Sequence, residues 1–383
     1  MKFIKIVLIV IILGSLPYYK TVVFDFQTGT PFTGSKFYNP YKTITNSWIK
    51  ANFHAHSKLY FGLTNGENTP EEMYSRYDSL GYDLACISNY NSILPNNFNR
   101  NLYIPTYEHG RNFGTKHQLV INSNNVNNYD FFLFQNKHHK QAVINAQKET
   151  GELVVLAHAN FKKGYSKKDM KLLNNYDLFE GVTVLASSID LWDIALTNGH
   201  AVWITGSDDA HSNTIDKTGV CWTMINTTDT TEEDVINSLV RGASYAQRGW
   251  QAQEMHRIKK VSVNDGIYTL ELSTKADSII LKSDFGKTVS IATNTNSISY
   301  NIQVKNTYVR AEIFESEIWN SYTKTYVNPV IRSENGEFNK HNNQNTKNVF
   351  KTWLVRFLIL ITNLAMLFLV FKLPSKKWVK AIE

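Results

Sequence analysis

From Trp353 to Leu373 the chain is almost wholly apolar, with only Arg356 and Lys372 charged, one near each end. Apolar residues would fall on every face of a helix formed there, so it has no polar stripe to turn towards water. A run of about 20 such residues matches the hydrocarbon core of a bilayer, and charges near its ends can snorkel to the interface. The pattern predicts a transmembrane helix over 352–373 and a basic tail, 374–383, carrying Lys376, Lys377 and Lys380. At the other end, Lys2 and Lys5 precede the apolar run 6–13. Residues 1–20 read as a signal peptide or a signal anchor. No small-x-small cleavage site precedes Tyr18, which favours the uncleaved anchor. Basic residues at both ends then put both termini in the cytoplasm and the body outside, at the cell membrane. The Asn-rich stretch within 336–350 reads as a polar linker between body and helix.

This topology explains a basic chain. The formal net charge is +7. Residues 1–20 carry +3 and residues 336–383 carry +6, which leaves −2 on the body from 21 to 335. The excess positive charge belongs to the membrane-flanking ends, so nucleic acid is not the expected partner. The two cysteines, Cys86 and Cys221, lie in apolar stretches and read as buried thiols, too few for a disulfide framework.

Between residues 50 and 250 short apolar runs alternate with helical patterns. Strands are expected at 51–56, 83–88, 102–107, 117–121, 152–157, 178–185 and 201–206. Thr69, Pro70 and Glu72 form a helix start with a capping box, and Met73, Tyr77 and Leu80 then share one face. Thr230-Thr231-Glu232-Glu233 opens a second such helix, reaching Arg241. Strand–helix alternation of this kind predicts a parallel sheet or barrel. From 255 to 335 the pattern becomes all-β: Asn264-Asp265-Gly266 has hairpin chemistry between two alternating runs, and a sandwich-like module is expected.

The chemistry-bearing residues sit where the expected strands end. They are His54 and His56 in Asn52-Phe53-His54-Ala55-His56-Ser57, Glu108 and His109 after Pro105-Thr106-Tyr107, His117, His158, and Asp209 and His211 in Gly206-Ser207-Asp208-Asp209-Ala210-His211. Alternate residues of a strand point to one face, so each His-x-His or Asp-x-His pair can enter one cavity. Imidazoles with carboxylates are ligands for zinc, manganese or iron, and a carboxylate can bridge two ions. Lys58, Arg111 and Lys116 follow these motifs and are candidates for holding a phosphate. His109, beside Glu108, is expected to point away from the metal, His138 and His139 to be structural, and Asp208 to orient a ligand histidine.

On these motifs, residues 50–250 resemble the polymerase and histidinol phosphatase (PHP) family of metal-dependent phosphoesterases, including Gly242-Ala243-Ser244-Tyr245 and Arg248-Gly249 near the end of the domain. The resemblance implies a PHP-like hydrolase domain over 45–252, folded as a distorted (β/α)7 TIM-like barrel around two or three metals. It implies that His54, His56, Glu108 and Asp209 hold a first ion, and that Glu108 bridges to a second, completed by His117 and His158. The family's third site would draw on positions occupied here by Asn65, Asn89 and Tyr90, which are poor ligands, so only His211 of that set survives. The implied centre is binuclear, with the third site degenerate. The implied reaction is hydrolysis of a small phosphorylated substrate by hydroxide generated at two divalent ions. Asp209, His211 and Tyr90 are its catalytic candidates, with His211 or Tyr90 supplying the leaving-group proton. Hydrolysis of a carboxylic ester or amide on the same metals, or a non-catalytic surface-binding role, are the alternatives.

Overall fold

A computed structural model describes residues 2–98, 100–250, 257–316, 322–338 and 345–373. The basic tail and residues 339–344 of the expected linker lie outside the described residues. The chain begins with α1 (Lys2–Ser15) and a turn, Leu16–Lys20, followed by β1 (Phe24–Asp25) and β2 (Lys36–Tyr38). Next come β3 (Trp48–Asn52), α2 (Pro70–Ser79), β4 (Leu84–Ala85), β5 (Thr106–His109), β6 (Gln118–Ser123), α3 (Lys137–Lys148) and β7 (Gly151–Leu156). They lead into α4 (Lys167–Leu172), β8 (Leu178–Val182), α5 (Ile189–Thr197), β9 (Trp203–Gly206), β10 (Cys221–Asn226), α6 (Glu232–Arg241) and β11 (Ser244–Arg248). The all-β stretch comprises β12 (Ile258–Asn264), β13 (Ile267–Ser283), β14 (Lys287–Asn301), β15 (Tyr308–Ser316), β16 (Tyr322–Val327) and β17 (Val330–Ser333). Strand β18 (Thr346–Lys347) and helix α7 (Val349–Lys372) close the described chain.

Local signals act where they were read. The Thr69 side chain accepts from the Glu72 N–H while the Glu72 carboxylate accepts from the Thr69 N–H, and Met73 and Tyr77 are buried. Helix α6 starts with Thr231 accepting from the Asp234 N–H. Asp265 and Gly266 adopt φ of +49° and +76°, the left-handed pair a two-residue hairpin needs, and join β12 to β13.

Among the described residues the expected distorted seven-strand barrel is not closed. The described strands build a five-stranded sheet, β5-β6-β7-β8-β9, and an eleven-stranded one whose main path runs β12-β13-β15-β16-β11-β10-β3-β4. Strands β5, β6 and β7 pair antiparallel, as do β3, β10 and β11, whereas β7, β8 and β9 run parallel. The two sheets meet without a ladder at either seam. Between β9 and β10 the Thr223 hydroxyl accepts from the Gly206 N–H at 3.0 Å and donates to the Gly206 carbonyl at 2.8 Å, taking the place of a strand partner. Between β4 and β5 one bridge, Tyr90 to Glu108, spans the gap. The all-β stretch continues the same sheet, because β16 pairs with β11 from Tyr245 to Arg248.

Helices α1 with its turn (Lys2–Lys20) and α7 are each long and apolar enough to cross a membrane. They contact each other. The Asn363 amide donates to Ser15 Oγ at 2.7 Å and to the Tyr19 hydroxyl at 2.8 Å, and Arg356 Nε donates to the Thr21 carbonyl at 2.9 Å. The described end of the expected linker is tied to the body as well: Asn345 is buried and donates to Gln141 and to the Leu172 carbonyl, and β18 pairs with β1.

Candidate metal centre

Five of the candidate ligand residues meet where the strand ends converge. His54 and His56 follow β3, Glu108 lies in β5, His158 follows β7 and Asp209 follows β9. His158 and Asp209 hold left-handed backbones, φ +27° and +55°, uncommon for residues with a Cβ. Hydrogen bonds impose both: the His158 N–H donates to Glu180 at 2.7 Å and the Asp209 N–H to the His54 carbonyl at 2.9 Å. His117 precedes β6, and its Nδ1 lies 2.7 Å from Glu108 Oε1. Gly110, at φ +148°, passes beneath the His117 ring, where any Cβ would collide with it.

The donor atoms of these residues lie close together. His54 Nε2 lies 3.2 Å from His56 Nε2, 3.2 Å from Asp209 Oδ1 and 3.4 Å from Glu108 Oε2. His56 Nε2 lies 3.2 Å from Glu108 Oε2 and 3.4 Å from Asp209 Oδ1. Tetrahedral ligands bonded at about 2.0–2.1 Å to a divalent ion stand roughly 3.3 Å apart, a spacing that these five distances match. Glu108 Oε2 and Asp209 Oδ1 are buried without a hydrogen-bond partner, a state that burial alone penalises and a cation would relieve. Glu108 Oε1 faces the other way, 2.7 Å from His117 Nδ1 and 3.0 Å from His158 Nε2. Among the described residues, His54, His56 and Asp209 form one metal-capable group, and His54, Glu108 and His158 a second.

Charge tells the same story. Burial works against ionising Glu108, but His117 and His54 outweigh it and hold the carboxyl well below its usual range. Burial likewise opposes a proton on His54, yet Asp209, Glu180 and Glu108 raise its pKa well above the ordinary value. Protonated histidines or a metal ion can each supply the positive charge that these buried carboxylates need.

Glu180, in the apolar strand β8, escaped the sequence reading. It is fully buried, accepts from His54 Nδ1–H at 3.0 Å and from the His158 N–H at 2.7 Å, and thereby turns His54 Nε2 towards the other ligands. The signal was a lone carboxylate inside Leu178-Phe179-Glu180-Gly181-Val182, a position that needs a polar partner. Glu180→Gln offers one carbonyl oxygen to two donors, so it is expected to weaken metal binding about 10–100-fold. Competition with a chromogenic chelator measures this, and an unchanged affinity refutes the positioning role.

The remaining candidates are placed as follows. His211 Nε2 lies 3.2 Å from the Tyr90 hydroxyl, and Tyr90 and His211 both stack on His56, at 4.3 and 4.5 Å between ring centroids. Burial raises the Tyr90 pKa, with Glu108 and Asp209 adding to it. Asn89 is occupied with Ser57, accepting from its N–H at 2.8 Å and donating to its hydroxyl at 2.9 Å. Lys58 is exposed near Glu72, Arg111 is exposed, and Lys116 is half-buried, which lowers the pKa of its ammonium. His109 bonds Gln118, away from the cluster, while His138 and His139 cap or brace α3. Asp208 orients no histidine: it accepts from the N–H groups of Gly219, Val220 and Cys221 and from the Tyr77 hydroxyl.

No family model matches the chain, and no curated protein matches it with significance. Solved structures that it resembles include a two-domain protein from Bacteroides vulgatus ATCC 8482 containing a predicted PHP-like metal-dependent phosphoesterase, the family whose motifs the sequence resembles. That likeness has 11% identity and a TM-score of 0.41, over 76% of this chain and 95% of the other. Two are endonuclease Q structures at 16% identity and TM-score 0.36. One is a complex with a 27-mer duplex bearing an abasic lesion, covering 50% of this chain; the other is PfuEndoQ from Pyrococcus furiosus, covering 51%. This chain spans 56% of each nuclease chain.

Proposed function

We propose that the chain is a membrane-anchored, metal-dependent phosphoesterase with a binuclear centre. Glu108 carries the reading: one buried carboxylate turns one oxygen to His54 and His56 and the other to His117 and His158, which suits an ion on each side. His54, His56, Asp209 and Glu108 would hold the first ion, and Glu108, His117 and His158 the second. Nitrogen and oxygen donors together suit zinc, manganese or iron. Such a pair of ions generates a nucleophile from water near neutral pH and offsets charge on phosphoryl oxygens.

The chain's own groups do the rest. Glu180 fixes the His54 ring. The Tyr90 hydroxyl and His211 Nε2 share a proton at the open edge of the site, where a leaving group would depart. Lys116 and Arg111 on the loop before His117, and Lys58 on the loop after His56, are the basic residues proposed to meet an arriving phosphate. Tyr90 and Asn89 stand where a third ion would need ligands, so two ions are expected. The two apolar helices, with Lys2 and Lys5 at the start of one and Lys372 at the end of the other, support an anchored body outside the cytoplasm with both termini inside.

The test uses the full chain in detergent, with elemental analysis and a panel of phosphomonoesters, phosphodiesters, carboxylic esters and abasic-site duplex DNA. The panel includes DNA because the endonuclease Q complex holds it, whereas the body's charge of −2 argues against it. Roughly two ions per chain and turnover of a small phosphoester are expected. Fewer than one ion, or turnover of carboxylic esters alone, overturns the proposal.

A further inference from the structure

We infer that the mouth of the metal centre lies against the membrane crossed by α1 and α7, and that its substrate is a phosphate ester carried on a lipid in that bilayer. The inference rests on the phosphoesterase reading of the site and narrows its substrate class. The cluster is partly exposed at His117 and His211. The His54 and Glu108 side chains are 0% exposed, whereas His117 is 11% and His211 23% exposed. The edge at His117 is the loop 110–116, and this loop is stitched to a second one, 130–134. The Arg111 N–H donates to Asp130 Oδ2 at 2.9 Å, the Phe113 N–H donates to the Phe132 carbonyl at 3.2 Å, and the Phe113 and Phe132 rings stand 4.7 Å apart.

The second loop is in turn stitched to the body-side end of the first apolar helix. The Tyr18 hydroxyl donates to the Phe134 carbonyl at 2.9 Å and accepts from the Phe134 N–H at 2.6 Å. A Cβ on Gly14 would lie 3.2 Å from Leu133 Cδ1, so Leu133 packs directly on the helix. Two steps of contact therefore lead from a membrane-spanning segment to a ligand of the metal centre.

These loops are built for a bilayer interface. Phe113 and Phe134 are 72% and 76% exposed, and Phe132 and Leu133 extend the same patch. A contiguous patch of large apolar side chains is unfavourable in water, and it runs on from the exposed apolar surface of α1. Seated among headgroups it buries that area. A soluble substrate gives the patch no use; a lipid-borne one places its phosphate beside Lys116 and His117 without leaving the bilayer.

The test reconstitutes the full chain in vesicles of phosphatidylcholine and phosphatidylglycerol. A nitroxide is attached at Leu133→Cys; Cys86 and Cys221 are buried and escape the label. Power saturation is expected to show the label open to oxygen and shielded from a polar nickel relaxant. A collision profile like that of free nitroxide in water overturns the inference. In a second arm, the combined Phe113→Ser, Phe132→Ser and Phe134→Ser variant is expected to lower the ratio of turnover on vesicle-borne phosphatidic acid to that on soluble nitrophenyl phosphate about tenfold or more. An unchanged ratio overturns the inference equally. Absence of any phosphoester turnover with a membrane-seated Leu133 strikes the phosphoesterase reading instead, which keeps the two failures apart.

Discussion

Glu108→Gln is expected to strip the centre of both ions and to lower hydrolysis by at least about a thousandfold. Glutamine matches glutamate in volume, so the packing around β5 survives. The chemistry does not. Both carboxylate oxygens face imidazole nitrogens, Oε2 towards His54 and His56 and Oε1 towards His117 and His158. One end of the amide must be NH2, so whichever way it turns, its hydrogens point into one pair of ring nitrogens that should face a cation. The negative charge that offsets two divalent ions is lost as well. Elemental analysis should fall from roughly two ions to fewer than one. Asp209→Asn touches only the His54–His56 side and should leave about one ion, bound by Glu108, His117 and His158. The melting temperature provides a second readout. A ligand at a hundred times its dissociation constant stabilises by about 2.7 kcal/mol, so chelation should lower the wild-type melt and leave Glu108→Gln nearly unmoved. A variant that keeps both ions, or loses as much stability to chelator as the wild type, would remove Glu108 from its bridging position.

The histidine and carboxylate positions were legible because they sit at strand ends, where period-2 alternation says which residues share a face. Thr69, Pro70 and Glu72 were legible for the same local reason, as was the Asp265–Gly266 turn. Barrel closure was not. It depends on whether β9 finds a ladder partner in β10, and a glycine–threonine contact between Gly206 and Thr223 takes that place. Nothing in the periodicity of either segment encodes that contact. The antiparallel β10 and β11 were missed because the reading followed strand–helix alternation, which favours parallel pairs. Pairing of β16 with β11 joins residues about eighty positions apart, beyond any local signal. Glu180 was overlooked because its partners, His54 and the His158 amide, are distant in sequence, though its place in an apolar strand was a warning.

Arg310→Leu is expected to destabilise the body by about 3–5 kcal/mol, the range for removing one partner of a buried ion pair. Arg310, in β15, donates from Nε and a terminal nitrogen to the two oxygens of Asp193 in α5, each at 2.7 Å. The side chains are 1% and 5% exposed, the guanidinium lies 4.9 Å from the Trp192 ring, and the Tyr308 hydroxyl donates to Asp193 at 2.8 Å. This clamp fastens the all-β stretch to the helix between β8 and β9, the strands that carry Glu180 and lead into Asp209. Leucine leaves the Asp193 carboxylate buried with the Tyr308 hydroxyl as its remaining side-chain donor among those at Arg310, so desolvation goes uncompensated. Removing both charges is different in kind. Arg310→Met with Asp193→Leu removes the buried pair and leaves Glu312, 20% exposed, without its Arg310 partner at 2.8 Å. Its loss should be smaller than the sum of the single changes by more than about 1 kcal/mol. Urea unfolding followed by tryptophan emission reads all three, since Trp192 lies against the pair. Metal content should stay unchanged in the folded variants, because Arg310 contacts none of the ligands. Additive losses, or a loss below about 1 kcal/mol for Arg310→Leu, would mean that the pair is not what fastens the two parts together.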